Sequence, residues 1–236
     1  MPVHVDIHDR VGVLTLDRPR RAHAYDSVHL GLLEEGLRAI EASDAVALIV
    51  RSTGDGAFCG GADLHELKEA LPEDALDLRS QRVFTRIARS RLVSIAAVQG
   101  AAVAGGCELS LACDLRVVGP KARFSLPETR LGLVPSAGGT TRLTRLVGPS
   151  VAKQVILAGR ALSAQDSVRL GLALDIADDP HAEAHRLATE IALQHDPLAL
   201  RLAKSIVDRG EDAGSLEAER VSEALLYSRR ASTKAD

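Results

Sequence analysis

Aromatic residues make up only 2% of this 236-residue chain, and tryptophan is absent. The core must therefore be built from Ala, Leu, Val and Ile, and the aromatic residues on which single-stranded nucleic acid stacks are scarce. An excess of either charge is lacking too. The 29 Lys and Arg stand against 32 Asp and Glu, a formal −3, which offers no bulk attraction to nucleic acid or a membrane surface. Cysteines number three, an odd count without framework spacing. That suits reduced thiols, and the expected localisation is cytoplasmic. No apolar run approaches the ~18–20 residues of a membrane span, and without a charged n-region and apolar h-region at the start no secretory leader is expected. A chain of this length buries roughly 70–75% of its unfolded surface, so its core needs no metal or disulfide staple.

What is present centres on Gln99-Gly-Ala-Ala-Val-Ala-Gly-Gly-Cys-Glu-Leu-Ser-Leu-Ala-Cys-Asp114. An apolar strand, Val93 to Val98, runs into a glycine-rich turn, and a helix is expected from Cys107 to Cys113. Gly105 and Gly106 let backbone approach a ligand closely. A helix starting there aims free N–H groups and its positive dipole end into the same space. Glu108 sits in its first turn between Cys107 and Leu109, poor company for a solvated carboxylate. Backbone donors beside a partly buried acid stabilise an oxyanion and move a proton.

Around this centre, Val3–Ile7 and Val11–Leu16 read as a hairpin turned at Asp9-Arg10. Leu30, Leu33, Leu37 and Ile40 share one face of a helix over 27–42, capped by Asp26 or Ser27. Val46–Val50 is a buried strand, and Ser52 to Gly61 a loop with four glycines. Residues 63–70 and 79–90 read as helices, with an acidic, mobile segment from Leu71 to Asp77 between them. A strand over 115–118 follows. From Pro149 helices are expected at 149–158, 163–171, 181–195, 197–208 and 215–229, interrupted by a strand-like 173–176. Strand–helix alternation followed by helices gives α/β, then α.

Three blocks then carry a family resemblance: Phe58-Cys-Gly-Gly-Ala-Asp-Leu64, the central stretch, and Phe124-Ser-Leu-Pro-Glu-Thr-Arg-Leu-Gly-Leu-Val-Pro-Ser-Ala-Gly-Gly-Thr-Thr-Arg142. In order and spacing they resemble the crotonase superfamily, that is, the enoyl-CoA hydratase/isomerase family, over nearly the whole chain. The resemblance implies an α/β fold with a crotonase-like spiral of β-β-α units over 1–160. Residues 161–236 would form a helical region for packing and oligomerisation, short of the family's final helix, in a homotrimer or hexamer. The implied ligand is an acyl-CoA thioester. Coenzyme A is then part of the substrate, and no metal or other cofactor is expected.

By the same resemblance, the thioester oxygen lies between the backbone N–H groups of Ala62 and Gly105. Gly60 keeps that space open. Glu108 activates the water that attacks C3, and Glu128 is the acid toward C2, so the reaction is syn hydration. Two close carboxylates in an apolar pocket should titrate as a coupled pair. Arg20 and Arg21 would meet the coenzyme A phosphates, while Ala22, Asp63, Leu64 and His65 line its path. Relatives with a single acid are isomerases, dehalogenases or decarboxylases, so both acids favour the hydratase. The rivals are an enoyl-CoA isomerase, a thioester hydrolase, and a non-catalytic or RNA-binding relative.

His23 stands where relatives often have Asn, His65 where Lys is common, and Ser136 where Gly is frequent, beside the catalytic water. The acyl pocket's far end is expected from Leu71 to Arg91. His181-Ala-Glu-Ala-His185 sets two histidines one helical turn apart without a third ligand, and reads as a solvated face. Cys59 and Cys107 flank the site with no identifiable partner His, and read as core filling. No Gly-x-Ser-x-Gly elbow is present.

Overall fold

The computed structural model describes residues 3–69, 74, 76–209 and 213–232. β1 (Val3–His8) and β2 (Val11–Leu16) form the expected antiparallel hairpin. Asp9 and Arg10 turn it with φ of 48° and 65°, the pair of positive angles that matches strand twist in a two-residue turn. α1 (Ser27–Ala42) follows, with the Asp26 carboxylate accepting from the His29 N–H at 3.0 Å. Its Leu30, Leu33, Leu37 and Ile40 are buried, as their spacing predicts. Each such leucine contributes about 1.5–3 kcal/mol.

β3 (Ala47–Ser52), β4 (Val93–Val98), β6 (Leu115–Val118) and β9 (Asp175–Ile176) extend the hairpin into a six-stranded sheet of order β1-β2-β3-β4-β6-β9, parallel from β2 onward. Parallel strands covered on both faces read as continuous apolar runs, and these do. Leu14, Leu48, Val50, Ala96 and Val98 pack toward α1 and α3 (Arg79–Ala88). The alternate residues Val13, Ala47, Ile49, Ile95 and Ala97 face α7 (Pro180–Gln194). Ala184, Ala188 and Ala192 of α7 recur every fourth residue and are buried against this face. Their methyl groups let the helix lie close to the sheet.

A second, three-stranded sheet joins β5 (Ala101–Val103), β7 (Arg123–Ser125) and β8 (Leu162–Ser163), and Cys59 bridges onto Ala102 at its edge. Each spiral turn thus contributes a strand of the large sheet, a short piece of the small one, and a helix. After β3 come the Cys59 bridge, α2 (Leu64–Glu69) and α3. After β4 come β5 and α4 (Gly105–Ala112). The region beyond 160 supplies β8, β9, α6 (Ala164–Arg169) and α7 to this body. It continues with α8 (Pro197–Arg209) and α9 (Ala213–Ser232).

Two local expectations need correction. The stretch taken as a turn before α4 contains β5, and the helix expected from Pro149 is the second half of α5 (Gly139–Ile156). Gly148, at φ 76° and ψ 161°, breaks α5, and Pro149 restarts it. Proline suits a helix's first turn, so the restart looks like a beginning. Of the segment expected to be mobile, 71–73 and 75 lie outside the described residues.

Candidate active site

The chain enters α4 through Ala104, at φ 51° and ψ −125°. This backbone geometry costs a residue with a Cβ on the order of 1–3 kcal/mol and tends to collect at functional sites. Ala104 N–H is tied to Ser125 O at 2.9 Å, and its own carbonyl accepts from Glu108 N–H at 3.0 Å. The next two residues have to be glycine. A Cβ on Gly105 would lie 1.9 Å from Tyr25 Oη, and one on Gly106 would lie 2.0 Å from the Cys59 carbonyl. The helix start is therefore pressed onto the 59–62 loop.

That loop is held by its flanks. Gly60 N–H donates to Ala22 O at 2.8 Å, Tyr25 N–H to Gly61 O at 2.9 Å, and Asp63 N–H to Tyr25 O at 2.7 Å. The N–H groups of Ala62 and Gly105 donate to no acceptor among the described residues. The two turns touch, since a Cβ on Gly61 would stand 3.2 Å from Gly105 N. Two orphan amides on adjoining turns, one at a helix N-terminus, are suited to a developing oxyanion.

Both glutamates are buried, and they differ in what supports the carboxylate. Glu108 is 3% exposed. Its Oε1 accepts from the N–H groups of Ala137, at 2.7 Å, and Gly139, at 2.8 Å. Its Oε2 meets no partner among the described residues. Burial raises its pKa above the usual carboxylate range, while the two amides and the Arg142 guanidinium pull it back. Glu128, on the 3-10 turn Glu128–Leu131, is 8% exposed, and its Oε2 is buried without a hydrogen-bond partner among the described residues. Burial first, then the charge on Glu108, push its pKa up to about 7. Burial raises both carboxyls, and the loop amides and Arg142 support the Glu108 anion, which leaves Glu128 the more readily protonated of the two.

The other expected residues are spread around this centre. Arg20, Arg21 and Ala22 lie exposed on and after the 3-10 turn Pro19–Arg21. Leu64 and His65 are exposed at the start of α2. The Asp63 carboxylate pairs with Arg18 at 2.9 Å and accepts from His65 N–H at 3.0 Å, so it holds the loop. Ser136 is exposed, and its carbonyl accepts from Gln81 Nε2 at 2.7 Å, one residue from the amide that binds Glu108. His23 is buried at φ 54°, its Nδ1 accepting from Arg18 N–H. His181 and His185 line a cavity of about 170 Å³ between α7 and β1–β3. Among the described residues no group of His, Cys, Asp and Glu could hold a metal ion. The buried thiols of Cys59 and Cys107 are pushed upward by burial, to about 12 for Cys59.

Sequence reasoning missed three residues. Arg18 also reaches the Ala24 carbonyl at 3.0 Å, stapling the 18–26 loop to Asp63. Tyr25, buried and edge-on to Phe84 with centroids 5.6 Å apart, packs its hydroxyl against Gly105. Arg142 closed a quoted block but was given no role. It binds the Ala137 carbonyl at 2.8 Å and Thr85 Oγ1 at 3.2 Å.

Paired orphan amides beside two buried, unequally supported carboxyls mark an acid–base enzyme that stabilises an oxyanion. The chain belongs to the enoyl-CoA hydratase/isomerase family, whose model matches residues 6–235. It is 40% identical over 215 residues to the probable enoyl-CoA hydratase 2, mitochondrial, of Arabidopsis thaliana, covering 87% of this chain and 71% of that one. It is 36% identical over 232 residues to the 2,3-dehydroadipyl-CoA hydratase of Escherichia coli, covering 98% and 90%. The crystal structure of an enoyl-CoA hydratase from Bacillus anthracis matches with a TM-score of 0.89 at 32% identity, covering 95% of this chain and 90% of that one.

Proposed function

We propose that this protein is an enoyl-CoA hydratase that adds water reversibly and syn across the C2–C3 double bond of a 2-enoyl-CoA. The observation that carries the reading is a pair of buried glutamates, both raised by burial but unequally supported, beside two amides without an acceptor among the described residues. The thioester oxygen accepts from Ala62 N–H and Gly105 N–H, which stabilise the charge it gains as C3 is attacked. Each such donor is typically worth 10²–10³ in rate, about 2.7–4 kcal/mol. Oε2 of Glu108 takes a proton from the attacking water while Oε1 stays bound to the loop amides. Protonated Glu128 delivers its proton to C2, and the proton held by Glu108 restores the pair for the next turnover.

Arg20 and Arg21 supply charge for the coenzyme A phosphates. The reaction as proposed needs no cofactor beyond the coenzyme A of its substrate. Trimeric or hexameric assembly is part of this reading, supported by exposed Val207, Val221, Leu225 and Tyr227 on α8 and α9. So is a cytoplasmic location, which cell fractionation tests against the mitochondrial one named for the Arabidopsis relative. A second reading has one observation in its favour. Glu128, titrating at about 7, could by itself shuttle a proton between C2 and C4, as in a 3-enoyl to 2-enoyl isomerase.

The deciding experiment follows the enoyl absorbance of crotonyl-CoA with wild type, Glu108→Ala and Glu128→Ala. Both variants are expected to lose ~10²-fold or more in kcat. Because Glu128 must be protonated, wild-type kcat/KM should fall as pH rises through about 7. An indifferent Glu108→Ala, with 3-enoyl-CoA turned over, would replace hydration by isomerisation.

A further inference from the structure

The loop that grips Glu108 is itself gripped from outside the site. Residues 135–139 present the Ala137 and Gly139 amides to Glu108 Oε1. The carbonyl of the Ser136–Ala137 peptide, whose N–H makes the first of these bonds, accepts from Gln81 Nε2 at 2.7 Å. The next carbonyl, Ala137 O, accepts from Arg142 Nη1 at 2.8 Å, and Arg142 Nη2 is anchored on Thr85 Oγ1 at 3.2 Å. Gln81 and Thr85 are four residues apart, so they share one face of α3. Gly138, between the two amides, has φ 108°, and a Cβ there would strike the Arg142 guanidinium at 2.1 Å. The loop is thus moulded around that guanidinium. Glu128 has less support: its own backbone N–H lowers its pKa, where two loop amides and the Arg142 cation lower that of Glu108, and its Oε2 is buried and unpaired among the described residues.

We propose that Arg142 is the positioning residue that makes Glu108, and not Glu128, the base of the pair, by fixing the loop whose amides hold one carboxylate oxygen and by facing it with a cation. The proposal rests on the hydratase reading above and says why its two acids divide the work as they do. Hydrogen bonds in series polarise one another, so donation into Ala137 O and Ser136 O strengthens what the loop offers Glu108. The charges around Glu108 agree with this. Arg142 is the cation that lowers its pKa; Glu128 from the 3-10 turn, Tyr25 from the loop before α1, and Cys107 on its own helix interact with the same charge. Arg142 in turn feels Glu108, Cys113 and the like charge of Arg89 at the end of α3.

The test is the pH dependence of crotonyl-CoA hydration in Arg142→Met, Arg142→Lys and the Arg142→Met/Glu108→Gln double variant. A base must be deprotonated to work, so losing the cation moves the acidic limb of kcat/KM to higher pH, by about one unit. At a pH on that limb the loss is roughly tenfold, with KM nearly unchanged. Arg142→Lys keeps the limb near its wild-type place, and the double variant loses no more than Glu108→Gln alone. A limb unmoved in Arg142→Met, or a loss additive to that of Glu108→Gln, overturns the proposal. Thermal unfolding checks that the variant folds. If Arg142→Met does not, Arg142→Gln keeps donors without charge and carries the same expectation. A carbon-13 titration of labelled glutamate carboxyls, assigned with Glu108→Gln, separates this proposal from the reaction itself. An upward move of the Glu108 resonance in Arg142→Met sustains it even if wild type leaves crotonyl-CoA untouched, and an unmoved resonance sinks it.

Discussion

The two ends of α4 treat the backbone groups a helix leaves unpaired, N–H at one and C=O at the other, in opposite ways. At the N-terminus Ala104 carries a strained backbone, and among the described residues Gly105 N–H finds no acceptor and a buried carboxyl oxygen of Glu128 no partner. At the C-terminus almost nothing is left open. Arg116, 4% exposed on β6, donates to Ser110 O at 3.2 Å, Cys113 O at 2.6 Å and Asp114 O at 3.0 Å, and also to Leu172 O. It meets the negative end of the helix dipole with a full positive charge. Ser94 and Lys204 both engage the Asp114 carboxylate just beyond. One end keeps its polar groups for a substrate, and the other spends them on stability. Unsatisfied groups at an active site are tolerated because satisfied ones elsewhere offset them.

Substitutions at the two ends should therefore separate activity from stability. The largest effect on chemistry is expected for Gly106→Ala. Its new Cβ meets the Cys59 carbonyl, which is backbone and cannot swing aside, so the 59–62 loop and Ala62 N–H must move. A displacement of about 1 Å costs on the order of 10² in rate. Crotonyl-CoA kinetics should show a kcat loss of that size, and wild-type turnover would break the comparison at its catalytic end. Arg116→Met tests the other end. Four carbonyls lose the guanidinium at once, Ser110 O keeping the Cys113 N–H at 3.3 Å, and the expected loss is about 3–5 kcal/mol, a drop of roughly 10 °C in Tm. Turnover per folded molecule should change little. A large kcat loss at unchanged Tm would instead make Arg116 part of the reaction.

How much of this was visible in the chain depends on what each contact needs. Leu33 and Leu37 declare their helix because burial repeats with the helical period, and Asp26 declares its cap by residue type. Ala62, Gly105, Glu108 and Glu128 were legible through three blocks in one order, and the fold brings these residues together. β5, β7 and β8 were not, since strands of two or three residues leave no alternation to count. The first half of α5 was hidden behind Pro149. Arg116 and Arg142 were hidden for a different reason. Their hydrogen bonds go to main-chain carbonyls, which every residue carries, and to one hydroxyl, so no hydrogen-bonded acid in the sequence points to them. Asp63 shows the converse, a carboxylate expected along the ligand's path that is committed to Arg18.

The smallest and sharpest test is the stability of Glu128→Gln, because here the catalytic end should improve as a structure while failing as a site. Glu128 titrates at about 7 in the folded protein, above its ordinary 4.5. A raised carboxyl favours the fold while protonated, and that contribution is lost as pH rises through about 7 and the buried carboxylate must carry charge. Glutamine stays neutral throughout. Thermal unfolding at pH 5 should therefore find the two proteins nearly equal. At pH 8 the variant should be more stable by on the order of 1 kcal/mol, a rise of about 2–4 °C, though hydration of crotonyl-CoA is lost. Equal stability at both pH values would mean that Glu128 ionises without cost. The contrast between the two ends of α4 would then rest on Gly105, Gly106 and Ala104 alone.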